Sequence, residues 1–162
     1  MVQLLAINEK ITKIRFDIIV LGFMKDVRPL KGIASDIDWV YSGAISRMIM
    51  DGKINGVFGE ALLMATNDKM NTPRLLLIGM GDKNGFSYDS IRKFSSNLTD
   101  RLRELKLGGG AVELPVVQES TLNKVRLFDS FMSGFNHSNA MDLTILVKDD
   151  AVAEEFEERI PL

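Results

Sequence analysis

An α/β fold, with a mixed sheet covered by helices on both faces, is what this sequence predicts. Three observations carry that expectation. Strand-like and helix-like segments alternate along the chain, the order expected when helices pack on a sheet. The apolar runs FDIIVLGFM (16–24) and LLLIG (75–79) are nearly continuous, as in strands covered on both sides. Two strand-like segments come early, and the polar connection 67–73 is short enough for a hairpin, so the sheet should be mixed and not wholly parallel.

Each element has its own signal. Residues 2–7 and 16–24 read as the first two strands. Ser35-Asp36-Ile37-Asp38 has the Ser-x-x-Asp form of a helix start. Ile37, Val40, Ala44, Ile45, Met48 and Ile49 then form one apolar stripe, on a helix expected to run to Asp51-Gly52. Trp39 falls beside that stripe, where partial burial is the simple reading and an interface anchor the sharper one. Residues 57–66 read as a third strand, joined by the hairpin to a fourth over 74–80.

The next helix is the clearest element. Ser87 suits its cap, and Ile91, Phe94, Leu98, Leu102 and Leu105 mark its buried side. Gly108-Gly109-Gly110 is expected to terminate it through a left-handed residue. A strand over 111–117 follows, then a helical stripe of Leu122, Val125, Phe128, Met132 and Phe135. The last strand spans 143–147, and Asp149 and Asp150 open a short final helix through Val152, Phe156 and Ile160.

Composition narrows the class. A chain of 162 residues suits one domain, which would span residues 1–162. With no cysteine, disulfides, thiolate nucleophiles and cysteine zinc sites are excluded, and a reducing compartment fits. Twenty basic against 22 acidic residues leave a net charge of −2, so nucleic acid is not an expected partner. No apolar run approaches the ~20 residues of a membrane span, and no signal peptide is evident, so a cytoplasmic protein is expected.

Few residues look chemical. Gly79-x-Gly81-x-x-x-Gly85 misses the dinucleotide fingerprint by one position. A tight strand-to-helix turn is the simpler reading of it. As a ligand loop, Gly79, Gly81, Asp82 and Lys83 would form the best candidate pocket, with an anion held by Lys83 and the amides ahead of the Ser87 helix. His137, the one histidine, lies in a polar turn without a partner motif, and no Gly-x-Ser-x-Gly elbow occurs. The acids from Asp149 to Glu158 read as a solvated helix face, and Met48 and Met132 as core. No metal site and no cofactor are expected.

Several phrases occur in a telling order: Phe16-Asp17-Ile18-Ile19-Val20, Leu30-Lys31-Gly32 with the helix after it, Val57-Phe58-Gly59-Glu60, Arg74-Leu75-Leu76-Leu77-Ile78-Gly79-Met80-Gly81, and the helix opening over 88–94. In this the chain resembles the amino-terminal domain of the leucyl aminopeptidase (cytosol aminopeptidase) family. The resemblance implies a three-layer α/β/α sandwich similar to macro domains, which bind ADP-ribose. In that family catalysis belongs to a separate two-metal domain. Its signature Asn-Thr-Asp-Ala-Glu-Gly-Arg is absent here, where Asn71-Thr72 runs into Pro73. No catalytic or metal-binding residue therefore carries over. The resemblance implies a non-catalytic, stand-alone domain acting in protein association, as a homo-oligomer or with another polypeptide. Macro-like binding of ADP-ribose or another nucleotide is the alternative.

Overall fold

The computed structural model describes residues 1–7, 10–115, 121–135, 141–148 and 150–160. Among these residues six strands form one sheet in the order β1-β6-β5-β2-β4-β3. They are β1 (Val2–Ala6), β2 (Ile19–Phe23), β3 (Ala61–Ala65), β4 (Arg74–Gly79), β5 (Gly109–Glu113) and β6 (Asp142–Val147). All neighbours pair parallel except β3 with β4. The sheet is therefore mixed, as the hairpin predicts. Asn67 and Asp68 both take positive φ early in the connection, where the Lys69 amide closes a tight turn onto the Thr66 carbonyl at 3.2 Å.

Helices cover both faces. On one, α1 (Gly32–Val40) and α2 (Ala44–Met50) bury Ile33, Ala34, Ile37 and Ile45 against Ile19, Leu21, Leu75 and Leu77. On the other, α3 (Tyr88–Glu104), α4 (Lys124–Phe135) and α5 (Asp150–Glu157) bury Phe94, Leu98, Phe128, Phe131 and Phe156 against Val20, Ile78, Val112 and Ile145. Phe128 stacks on Phe156 at 4.6 Å between ring centroids, tying α4 to α5. The result is a three-layer α/β/α sandwich.

α3 begins as the sequence predicts. Ser87 and Ser90 form a reciprocal capping box in which each side chain receives the other's amide.

Other expectations need correction. The single helix expected from Ser35 is two, broken where Ser42 and Gly43 take positive φ. Ser35 lies inside α1, which starts at Gly32. Asp38, nearly buried, caps the second helix instead: its carboxylate accepts from the amides of Ile45 (2.8 Å) and Ser46 (3.2 Å). Both helices lie on one sheet face, so the apolar stripe continues across the break.

The third strand is also shorter than expected, because residues 55–60 form a turn. There the Glu60 carboxylate gathers the amides of Asn55, Gly56 and Val57. Trp39 is 85% exposed and not partly buried.

The triple glycine does not terminate α3. Lys106 supplies the left-handed residue, and Gly109 and Gly110 already belong to β5. A Cβ on Gly109 would lie 1.9 Å from the Asp142 carbonyl, so close strand contact requires glycine there. The fifth strand ends at Glu113, and residues 116–117, Asp149 and His137 lie outside the described residues. Glu154, Glu155, Glu157 and Glu158 are exposed, as a solvated helix face requires.

Candidate functional site

The connections leave β2 and β5, which are neighbours, in opposite directions. From β2 the chain passes through α1 and α2 toward β3 and β4; from β5 it passes through α4 toward β6. Such a reversal opens a crevice at the carboxyl ends of the two strands. A cleft of about 480 Å³ lies there.

Its floor is apolar. Phe23 ends β2, Leu114 and Pro115 follow β5, Val147 ends β6, and Val152 and Phe156 come from α5. Its rim is charged, with Arg28, Lys31, Lys83, Lys124 and Lys148 against Asp26 and Glu113. This excess of cations occurs in a chain whose net charge is −2.

Two of these cations also hold the walls. Arg28 Nη1 donates to the carbonyls of Met24 (2.8 Å) and Val27 (2.6 Å), shaping the loop after β2. Burial lowers its pKa from the usual value, although an arginine keeps its charge at neutral pH. Lys148 pairs with Asp36 at 2.5 Å, linking the end of β6 to α1.

Glu113 is the least ordinary group in the cleft. Its Oε2 accepts the amide of Ile33 at 2.7 Å, in the first turn of α1. Gly32 takes φ +64°, and a Cβ there would lie 2.6 Å from the same oxygen. Burial pushes the carboxyl up to about 7. Asp36 raises it further, and the Ile33 and Ala34 amides and Lys148 offset part of the rise. A carboxyl poised near neutrality in a cleft marks a candidate functional residue.

The four residues singled out from sequence are divided by the structure. Lys83 reaches the cleft rim. Gly81 and Asp82 line a separate, shallow depression at the end of β4, beside Asp26 and Phe58. Gly79 is buried, and a Cβ there would lie 2.2 Å from the Val57 carbonyl.

The amides of that turn are used inside the fold. Gly79 donates to Glu60, Met80 to Phe23 and Gly81 to Gly56, at 2.8–2.9 Å, and Lys83 donates to the Asp26 carboxylate at 2.8 Å. The start of α3 is closed by its own capping box.

Sequence reading passed over Glu113, Lys31 and Lys148. Only Glu113 carries a local signal, as the lone charge in the apolar stretch from Ala111 to Leu114. Among the described residues, no group of three or more histidine, cysteine, aspartate or glutamate residues is placed to hold a metal ion. No described helix is long and apolar enough to cross a membrane.

Known proteins share this architecture. A macrodomain of Trypanosoma brucei superposes with a TM-score of 0.73 at 12% identity, covering 98% of this chain and 67% of that one. A second structure of a Trypanosoma brucei macrodomain, in complex with ADP, gives 0.68 at 14% identity and covers 90% and 66%. A tomato leucine aminopeptidase matches at 0.63 and 14% identity, over 97% of this chain but 35% of its own. The sandwich is thus macrodomain-like.

Sequence relatives include probable cytosol aminopeptidases. The one from Alkaliphilus metalliredigens is 28% identical over 99 residues, and the one from Burkholderia thailandensis is 38% identical over 71. The aligned residues make up 61% and 44% of this chain but only 20% and 14% of those relatives. The model of the cytosol aminopeptidase family's N-terminal domain matches residues 20–129. By that match, the chain belongs to the cytosol aminopeptidase family, through its N-terminal domain.

Proposed function

We propose that this domain is a binding module and not a catalyst, and that its cleft takes a nucleotide-like anion. The observation that carries this reading is the pairing of an apolar floor with a cationic rim at the β2/β5 switch point. An adenine-sized ring would lie on the floor near Val152 and Phe156, with phosphates toward Lys31, Lys124 and Lys148. The macrodomain of like fold in complex with ADP supports the same ligand class.

The test is calorimetry and thermal shift of the protein with ADP, ADP-ribose, adenosine and pyrophosphate. The phosphorylated nucleosides should bind, and added salt should weaken them as exposed charges are screened. At 100 times its dissociation constant a ligand stabilises by about 2.7 kcal/mol. That corresponds to roughly 5–10 °C in a chain of this size. Adenosine binding as tightly as ADP would remove the rim from the reading, and a flat response to all four ligands would overturn it.

A second reading, protein association, is favoured by the 85% exposure of Trp39. Large aromatic side chains left in water are typical anchors of protein interfaces.

A further inference from the structure

We infer that β3 is a self-pairing edge through which two copies of this chain join into one continuous sheet. This gives the association reading a surface and is independent of the cleft. Among the described residues, β3 is the last strand of the sheet and pairs only with β4.

Its hydrogen-bonding parity follows from both ends of the ladder. Gly79 donates to the Glu60 carbonyl and Thr66 donates to the Pro73 carbonyl. Even-numbered residues of the strand therefore bond β4, and the backbone groups of Ala61, Leu63 and Ala65 point away from it. The side chains of those same three residues are exposed, Leu63 by 45%.

Edge strands in monomeric proteins are commonly blunted by a charge, a proline, a bulge or a covering segment. The sequence Ala61-Leu62-Leu63-Met64-Ala65 contains neither a charge nor a proline. It keeps unbroken register with β4 from Ala61 to Ala65. The nearest charge, Glu60, has its carboxylate turned onto the amides of its own loop. The opposite edge differs, since β1 lies against α5.

A second copy suits this edge because the edge is self-complementary. A two-fold axis at Leu63 sets Leu63 opposite its own equivalent and Ala61 opposite Ala65. Every outward donor then meets an outward acceptor. A two-fold contact of this kind closes after two copies, with β1 as the strand at each end of the joined sheet. Tyr41, two residues after the exposed Trp39, reaches the end of this strand, where its hydroxyl donates to the Thr66 carbonyl at 2.7 Å.

Sedimentation equilibrium of the full chain, with residue-resolved hydrogen exchange across a concentration series, tests this. The wild type should sediment as a dimer at high concentration. The amides of Ala61, Leu63 and Ala65 should gain protection as dimer forms, and those of Leu62 and Met64 should be protected throughout. Leu63→Lys, on a half-exposed side chain, should give a folded monomer. Ala61→Lys tests the same edge independently if that variant misfolds. A dimer that survives both substitutions, or protection lacking this alternation, would assign association to another surface and overturn the edge. A monomer at every concentration would overturn both the edge and self-association.

Discussion

At the carboxyl end of β4, Gly79 is wedged against the Val57 carbonyl, and the amides of Gly79, Met80 and Gly81 are bound to the carbonyls of Glu60, Phe23 and Gly56. At the carboxyl end of β5, on the far side of β2, the chain carries Glu113, Leu114 and Pro115 into an open cleft. The first end is glycine-rich and closed; the second has a half-buried acid and is open. Backbone amides serve a ligand only when the fold has not already used them. At β4 the turn 55–60, the end of β2 and the Asp26 carboxylate use them. At β5 the reversal of chain direction keeps covering segments away, and side chains from three strands can meet there.

The largest expected effect falls on the closed end. Gly79→Ala would drive a methyl group into backbone and not into a flexible side chain. Overpacking costs typically about 1–3 kcal/mol and occasionally more; with a contact this short, a loss of at least about 3 kcal/mol is expected. Urea denaturation should show it directly as a lower midpoint. A midpoint unchanged from wild type would mean that this end can open, and the contrast with β5 would fail.

The next effect belongs to Glu113. Folding raises its carboxyl from 4.5 to about 7, so the folded state holds this proton more tightly than the unfolded chain. The stabilisation is therefore full below pH 4.5 and is lost as the pH rises through 7. At about 1.4 kcal/mol per unit, the loss amounts to about 3 kcal/mol. Glu113→Gln keeps an acceptor for the Ile33 amide without the charge. It should flatten the melting temperature between pH 5 and 8, where the wild type declines. Parallel declines in both proteins would mean that Glu113 is solvated and the cleft is wetter than its apolar lining indicates.

A smaller effect distinguishes the rim. Lys31→Ala removes an exposed cation from the cleft while Ile33 and Gly32 keep their contacts with Glu113. ADP affinity should fall about tenfold, equivalent to about 1.4 kcal/mol, with little change in stability. An unchanged affinity would move the phosphates away from α1 toward Lys124.

The β4 end drew attention in the sequence because its signals are contiguous. An apolar run, two glycines and a capped amphipathic helix lie within thirty or so positions, and the structure has a strand and a capped helix there. The same local periodicity made α3 and the hairpin legible. The break between α1 and α2 was hidden because both helices face one side of the sheet. Gly43, with positive φ, and Asp38, an acid on the buried side, were the available signs of it. The cleft is a different case. Its parts come from segments at residues 22–34, 113–115 and 146–148, with Lys83, Lys124, Val152 and Phe156 added from elsewhere. No local pattern joins them; only the sheet order does.

The smallest expected effect decides whether ligand binding belongs to the turn after β4 or to the switch point. Gly85 lines the shallow depression beside Gly81 and Asp82, and a Cβ there would meet no atom within 4 Å. Its φ is not positive, so alanine introduces no backbone strain. Gly85→Ala should therefore change stability by no more than about 0.5 kcal/mol. Gly81→Val would be a poorer probe, since Gly81 takes φ +75° and any loss could be a folding defect. With folding intact, Gly85→Ala reports only on whether a ligand lies against the depression. Calorimetry should find ADP affinity unchanged beside the weakened Lys31→Ala variant. The reverse pattern would place the ligand at residues 79–85, and the acids Asp26 and Asp82 beside it would then favour a cationic or hydroxyl-bearing group over a phosphate.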